Sequence, residues 1–90
     1  MNLPQQENRR EMENNKIPNN FRITIASLPD RENLVAEIFY KDEQWVEISQ
    51  ETGELIIQFY APQNQEFWEF SLDEALQILQ QAKKRLLAVG

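Results

Sequence analysis

Asn33-Leu34-Val35-Ala36-Glu37-Ile38-Phe39-Tyr40, Lys41-Asp42-Glu43 and Gln44-Trp45-Val46-Glu47-Ile48-Ser49 are consecutive, and their pattern decides the fold. Two runs rich in β-branched and aromatic residues flank a short polar connection, the signature of a hairpin. Side chains alternate between faces with a period of two, so a one-residue slip would turn every apolar residue to the wrong side. Setting Ile38 opposite Val46 and Ala36 opposite Ile48 gathers the apolar residues on one face.

The same test extends outward. Extended segments are expected at Phe21 to Leu28, Asn33 to Tyr40, Gln44 to Ser49, Glu54 to Tyr60 and Glu66 to Phe70, with connections of hairpin length between them. Pairing Ser27 with Leu34, Ile25 with Ala36, Ile23 with Ile38 and Phe21 with Tyr40 continues the apolar row backward. Pairing Val46 with Ile57 and Ile48 with Leu55 continues it forward, and Trp68 and Phe70 extend it if a fifth strand lies beside the fourth. Sequential pairing is the default for short connections, so an antiparallel meander of about five strands is predicted.

An apolar sheet face needs a cover, and the C-terminal residues supply it. Ser71-Leu72-Asp73-Glu74 has the spacing of a capping box, in which Ser71 caps the first free amides. Leu72, Ala75, Leu76, Leu79, Ala82 and Leu86 then recur three and four apart, as on one side of an amphipathic helix. The fold class is therefore α+β, one sheet with one C-terminal helix on one face. Ninety residues with 41% hydrophobic content fit a single domain over residues 21 to 90. Residues 1 to 20, with Pro4, Pro18 and many Asn and Gln, show no apolar periodicity and are expected to be disordered or partly helical.

Composition narrows the chemistry. The net charge is -6. Residues 1 to 20 balance three acids with three bases, and Lys83, Lys84 and Arg85 fall in the last turns of the predicted helix, leaving twelve acids against three bases over residues 21 to 82. Such a body disfavours nucleic acid, whose phosphates require cations, and favours a basic protein partner. With no His or Cys there is no Ser-His-Asp triad, Cys-His dyad or ordinary zinc site, and two glycines cannot build a phosphate-cradling loop. No enzymatic activity, metal or cofactor is expected. Apolar runs are too short to span a bilayer, so no membrane association is expected and a cytoplasmic location is the default.

The face away from the helix carries the candidate site. Its expected rows are Arg22, Phe39, Trp45, Gln58 and Glu69, then Thr24, Glu37, Glu47 and Ile56, with Tyr60 at one end. Aromatics ringed by charge compose binding surfaces, so Arg22, Glu37, Phe39, Trp45, Glu47, Ile56, Gln58 and Tyr60 are the predicted partner-binding residues. Glu37 opposite Glu47 is the sharpest feature, because like charges across a strand pair destabilise by up to about 1 kcal/mol. Three readings stand: solvated carboxylates screened by Arg22, a partner cation docked between them, or a metal or acid/base pair. A face-to-face homodimer would bury the aromatics, and a strand edge offers a second route to self-association.

The segments Asn33-Leu34-Val35-Ala36-Glu37-Ile38, Glu47-Ile48-Ser49-Gln50-Glu51-Thr52-Gly53 and Ala82-Lys83-Lys84-Arg85-Leu86 resemble a group of small uncharacterised bacterial proteins, many of them cyanobacterial. The resemblance covers most of residues 21 to 87. In size, acidity and sheet-plus-helix design the chain is also similar to immunity proteins of toxin systems. That likeness implies a non-catalytic immunity protein or antitoxin masking a basic partner, and it transfers no binding residues.

Overall fold

The computed structural model describes residues 17–89. They form an antiparallel sheet of four strands, β1 (Phe21–Ala26), β2 (Val35–Tyr40), β3 (Glu43–Ser49) and β4 (Ile56–Phe59), in sequential order, followed by one helix, α1 (Leu72–Val89). The architecture is α+β, with four strands where five were expected. The expectation for the N-terminal tail falls largely on residues 1–16, outside the described residues. Residues 17–20 are part of the domain: Ile17 packs against the core, Phe21 N–H donates to the Pro18 carbonyl, and Lys41 N–H donates to the Asn20 carbonyl.

The first hairpin has the expected register, with Phe21 facing Tyr40, Ile23 facing Ile38 and Ile25 facing Ala36. Ala36 also faces Ile48 and Ile38 faces Val46, as read from the pattern. The turn between β2 and β3 is tighter than expected. Lys41 and Asp42 both have positive φ, 50° and 69°, as in a two-residue type I′ turn. Glu43 is thereby drawn into β3 opposite Tyr40, and Gln44 stands opposite Phe39. With Ile38 still facing Val46, Trp45 becomes an extra residue on β3, a β-bulge.

The bulge corrects one assignment. Strict alternation puts Trp45 on the outer face opposite Phe39, but it turns to the helix side and is buried at 6% exposure. Its ring lies 4.9 Å from Phe70 and 5.9 Å from Phe21, within a cluster that includes Tyr40. Tilted and edge-on geometries dominate, as ring quadrupoles favour.

β4 differs by two residues. Ile48 faces Ile57 and Val46 faces Phe59, in place of Leu55 and Ile57. A shift of two preserves the face, so the apolar row is intact. The connector is longer because its first residues serve another loop. Gln50 Nε2 donates to the Leu34 carbonyl, and the Glu51 carboxylate accepts from Glu32 N–H at 3.0 Å and Asn33 N–H at 2.9 Å.

Residues 66–70 do not form the expected fifth strand. The Trp68 indole N–H donates to the Tyr60 carbonyl at 2.7 Å, so a side chain closes this loop and Phe70 joins the aromatic cluster. β4 is left as a sheet edge, which also removes Glu69 from the outer-face row.

α1 begins as its cap dictates, the Ser71 hydroxyl accepting from Glu74 N–H at 3.4 Å. It runs to Val89, so Lys83, Lys84 and Arg85 precede its last turn, which carries no base. Ile78, Ala82 and Leu86 are buried against Ala36, Ile38, Val46 and Ile48. Each fully buried aliphatic contributes on the order of 1.5–3 kcal/mol. α1 packs against β1 and β2, and this lateral placement determines what stays open.

Candidate functional site

The outer face holds most of the residues singled out by the sequence. Glu37 faces Glu47 and Arg22 faces Phe39, as expected, while Glu47 faces Gln58 and Ser49 faces Ile56. Seven of the eight predicted residues share this face, and Trp45 does not. Their electrostatics differ from the expectation in one respect: the cation that answers Glu47 is Arg31, neither Arg22 nor a partner's.

Arg31, in the connector between β1 and β2, folds across the face. Its Nη2 lies 2.8 Å from Glu47 Oε2 and donates to Gln58 Oε1 at 2.9 Å, while its Nε donates to the same Glu47 oxygen at 3.1 Å. The Tyr60 hydroxyl donates to the other oxygen, Oε1, at 3.1 Å. Glu47 is only 3% exposed, so both of its oxygens are engaged at a site nearly sealed from water. Val35 and Ser49 are buried on this side too. A buried carboxylate is tolerated when it is paired and hydrogen-bonded, and both conditions are met.

Glu37 is less well served. Burial raises its pKa, the Glu47 charge adds to the rise, and the Arg22 charge offsets part of it. Arg22 itself is engaged three ways: its Nη1 donates to Thr24 Oγ1 at 3.1 Å, its Nη2 lies 3.5 Å from Asp42, and its guanidinium sits 4.3 Å from the Phe39 ring centroid. Burial also lifts the Tyr60 phenol above its usual range, followed by its hydrogen bond to Glu47. The outer face is thus a set of intramolecular pairs, Arg31 with Glu47 and Arg22 with Phe39 and Asp42. Its cations are engaged within the chain before any partner arrives, and Glu37 is left with only the partial relief that Arg22 gives.

The open surface lies on the other side of β4. Leu55, Ile56 and Ile57 form one wall of a groove of about 350 Å³, and Leu76, Leu79 and Lys83 of α1 form the other. Two further residues continue these walls. Phe59 is two residues beyond Ile57 on the same face of β4, and Leu72 is one helical turn before Leu76. They are 64% and 71% exposed, and Leu76 is 53% exposed. All four residues of β4 are exposed.

The edge of β4 is also chemically open. Tyr60 N–H donates to the Trp45 carbonyl at 2.8 Å. Since successive residues of an antiparallel strand alternate in direction, Gln58 and Ile56 also address β3, and Ile57 and Phe59 direct their N–H and C=O groups outward. An apolar strip beside an unpaired edge is the arrangement that proteins otherwise guard against.

Exposed acids adjoin both walls in the sequence. Glu54 precedes the strand wall, Glu69 precedes the helix, and Asp73 and Glu74 occupy the first turn of α1; all are exposed. Lys83 is the one base lining the groove. Alternation along the fourth strand assigns Ile57 to the apolar face, and the three-and-four spacing of the helix assigns Leu72 and Leu76 to it. What was missed is that one helix covers only part of a four-strand face. For Arg31 a signal existed, since Glu47 requires a cation and residues 21 to 82 hold only three.

Among the described residues, no group of three or more acidic residues could hold a metal ion, and no helix is long and apolar enough to cross a membrane. No family model matches the chain, and neither the curated proteins nor the solved structures contain a match.

Proposed function

We propose that this chain is a non-catalytic protein-binding module that receives a basic partner in the groove between β4 and α1. The observation that carries this reading is the exposure of Ile57, Phe59, Leu72 and Leu76 along one strip beside a strand edge, with Asp73 and Glu74 in the first turn of α1. Interfaces concentrate their energy in desolvated apolar anchors with a charged rim; this strip supplies the anchors, and Asp73, Glu74 and Lys83 of α1 supply charge along it. The outer sheet face contributes less, because Glu47 at its centre is already paired with Arg31 and Arg22 is engaged with Asp42. Ile56 and Gln58 on the border strand, and Tyr60 just after it, are within reach of the same partner. An immunity protein or antitoxin masking the cationic surface of its target is a role of this kind, and a cytoplasmic location suits it.

The test is binding by variants of the two surfaces. A partner recovered on the immobilised protein, then purified and titrated calorimetrically, should bind Leu76→Lys at least about tenfold more weakly. Added salt should weaken binding too, whereas Arg22→Ala should leave it within about twofold of wild type. Loss of binding with Arg22→Ala and tolerance of Leu76→Lys would return the site to the outer face.

A second reading is self-association through the β4 edge, favoured by the outward N–H and C=O groups of Ile57 and Phe59. Light scattering across a concentration series decides it, since a monomer at the highest concentration excludes this reading. The aromatic-face homodimer loses its main anchor, because Trp45 is in the core.

A further inference from the structure

Ideal spacings place a second helix over the strip. Strands lie about 4.8 Å apart, so four of them span about 14 Å between the outermost axes. A helix takes up about 10 Å when packed beside another. α1 is seated over β1 and β2, so a neighbouring helix about 10 Å away would have its axis above β3 and β4. That is where Ile57 and Leu76 face an unfilled groove. The α1 wall is a stripe of residues 76, 79, 80 and 83, one side of two turns and about 10 Å long at 1.5 Å per residue.

We infer that the groove takes an amphipathic helix of a basic protein, laid beside α1 with its apolar side on β4; this rests on the groove being the docking site. Charge supports that occupant. Asp73 and Glu74 in the first turn of α1, and Glu54 next to Leu55 of the strand wall, call for Lys or Arg at that end of the incoming helix, while Lys83 at the far end of the α1 wall calls for an acid. A second copy of this chain answers these carboxylates poorly, because its own apolar strip is bordered by the same ones. An added strand would pair with Ile57 and Phe59 but would lie about 4.8 Å beyond β4, leaving the trough above it open. The chain's own residues 1–16 offer only Met1, Leu3 and Met12 as large apolar side chains, without helical spacing.

Two synthetic Leu/Lys peptides of identical composition separate these cases when titrated into the full chain. One places Leu at positions i, i+3, i+4 and i+7; the other alternates Leu with Lys. The helical pattern should bind with a gain in peptide helicity and shift the methyl resonances of Ile57 and Leu76. Leu76→Lys should weaken it about tenfold, and Arg22→Ala should not. If the alternating peptide binds instead and protects the Ile57 and Phe59 amides from exchange, the groove is a docking site but the helix is the wrong occupant. Methyl shifts produced by protein concentration alone would assign the strip to a second copy and overturn the inference. Binding indifferent to Leu76→Lys, or no binding by either peptide, would remove the groove itself as the site.

Discussion

The Arg31 guanidinium sits 2.8 Å from the Glu47 carboxylate, across a sheet face where Glu47 is almost wholly buried. This contact ties the connector between β1 and β2 to the centre of β3. It also relieves the like-charge pair Glu37 and Glu47, which stand opposite one another in the ladder. Removing the cation leaves a buried carboxylate with no opposite charge beside it, held by the Tyr60 hydroxyl's hydrogen bond.

Arg31→Met should therefore destabilise the fold by about 2 to 3 kcal/mol, at the lower end for a broken buried pair because Arg31 is itself partly exposed. Urea denaturation should show a lower midpoint at an unchanged slope. The double variant Arg31→Met, Glu47→Leu should recover part of that loss, since it no longer buries an unpaired charge. A double variant no more stable than Arg31→Met would show that the Glu47 charge is solvated after all.

Tyr60→Phe should cost about 1 kcal/mol through the lost hydrogen bond to Glu47. Burial and then the bond to Glu47 hold the Tyr60 phenol above its usual range, so it should ionise later than free tyrosine in an absorbance titration. Subtracting the Tyr60→Phe curve isolates it. Glu47→Gln should move the transition downward by removing the neighbouring charge.

Glu37 gives a pH dependence of defined sign. Its folded-state pKa is raised, by burial first and then by Glu47. Its contribution is most favourable below the unfolded glutamate value and is lost as pH rises through the folded one. Glu37→Gln should then stabilise the protein at neutral pH, by less than about 1 kcal/mol. The gain should disappear in acid, where Glu37 is already neutral. Paired thermal melts at pH 7 and pH 3 read both arms.

Glu51 has the opposite sign. The Glu32 and Asn33 amides that donate to it lower its pKa. Its contribution is present above the unfolded value and is lost as pH falls through the folded one. Glu51→Gln should lower the melting temperature at neutral pH, and the difference from wild type should close on acidification. An unchanged difference at all pH values would mean that the loop is held without the charge.

Trp45 tests the bulge. Trp45→Ala should cost about 3 to 5 kcal/mol as a core truncation, whereas Phe39→Ala, on the half-exposed outer face, should cost clearly less. Equal and small effects on stability would place Trp45 back on the surface.

How much of this was legible in the chain follows from two periods. Alternation with period two specifies which face each residue of β1, β2 and β3 presents, because a slip of one exposes Ile23, Ile38 and Val46 together. The spacing from Leu72 to Leu86 specifies the helix, and Ser71 its start. The pairing of Glu37 with Glu47 comes from the same register. A slip of two residues leaves alternation unchanged, so the seating of Ile57 rather than Leu55 opposite Ile48 is invisible to the pattern. The bulge at Trp45 is equally hidden, because it depends on Lys41 and Asp42 adopting positive φ. Whether Ile57 and Leu76 are buried depends on where a helix about 10 Å wide settles on a sheet about 14 Å across. Arg31 reaches Glu47 only once the connector has folded over β3, through a contact sixteen residues distant in the chain. Local periodicity is a property of the sequence, whereas lateral packing and long-range charge pairing exist only when the elements meet.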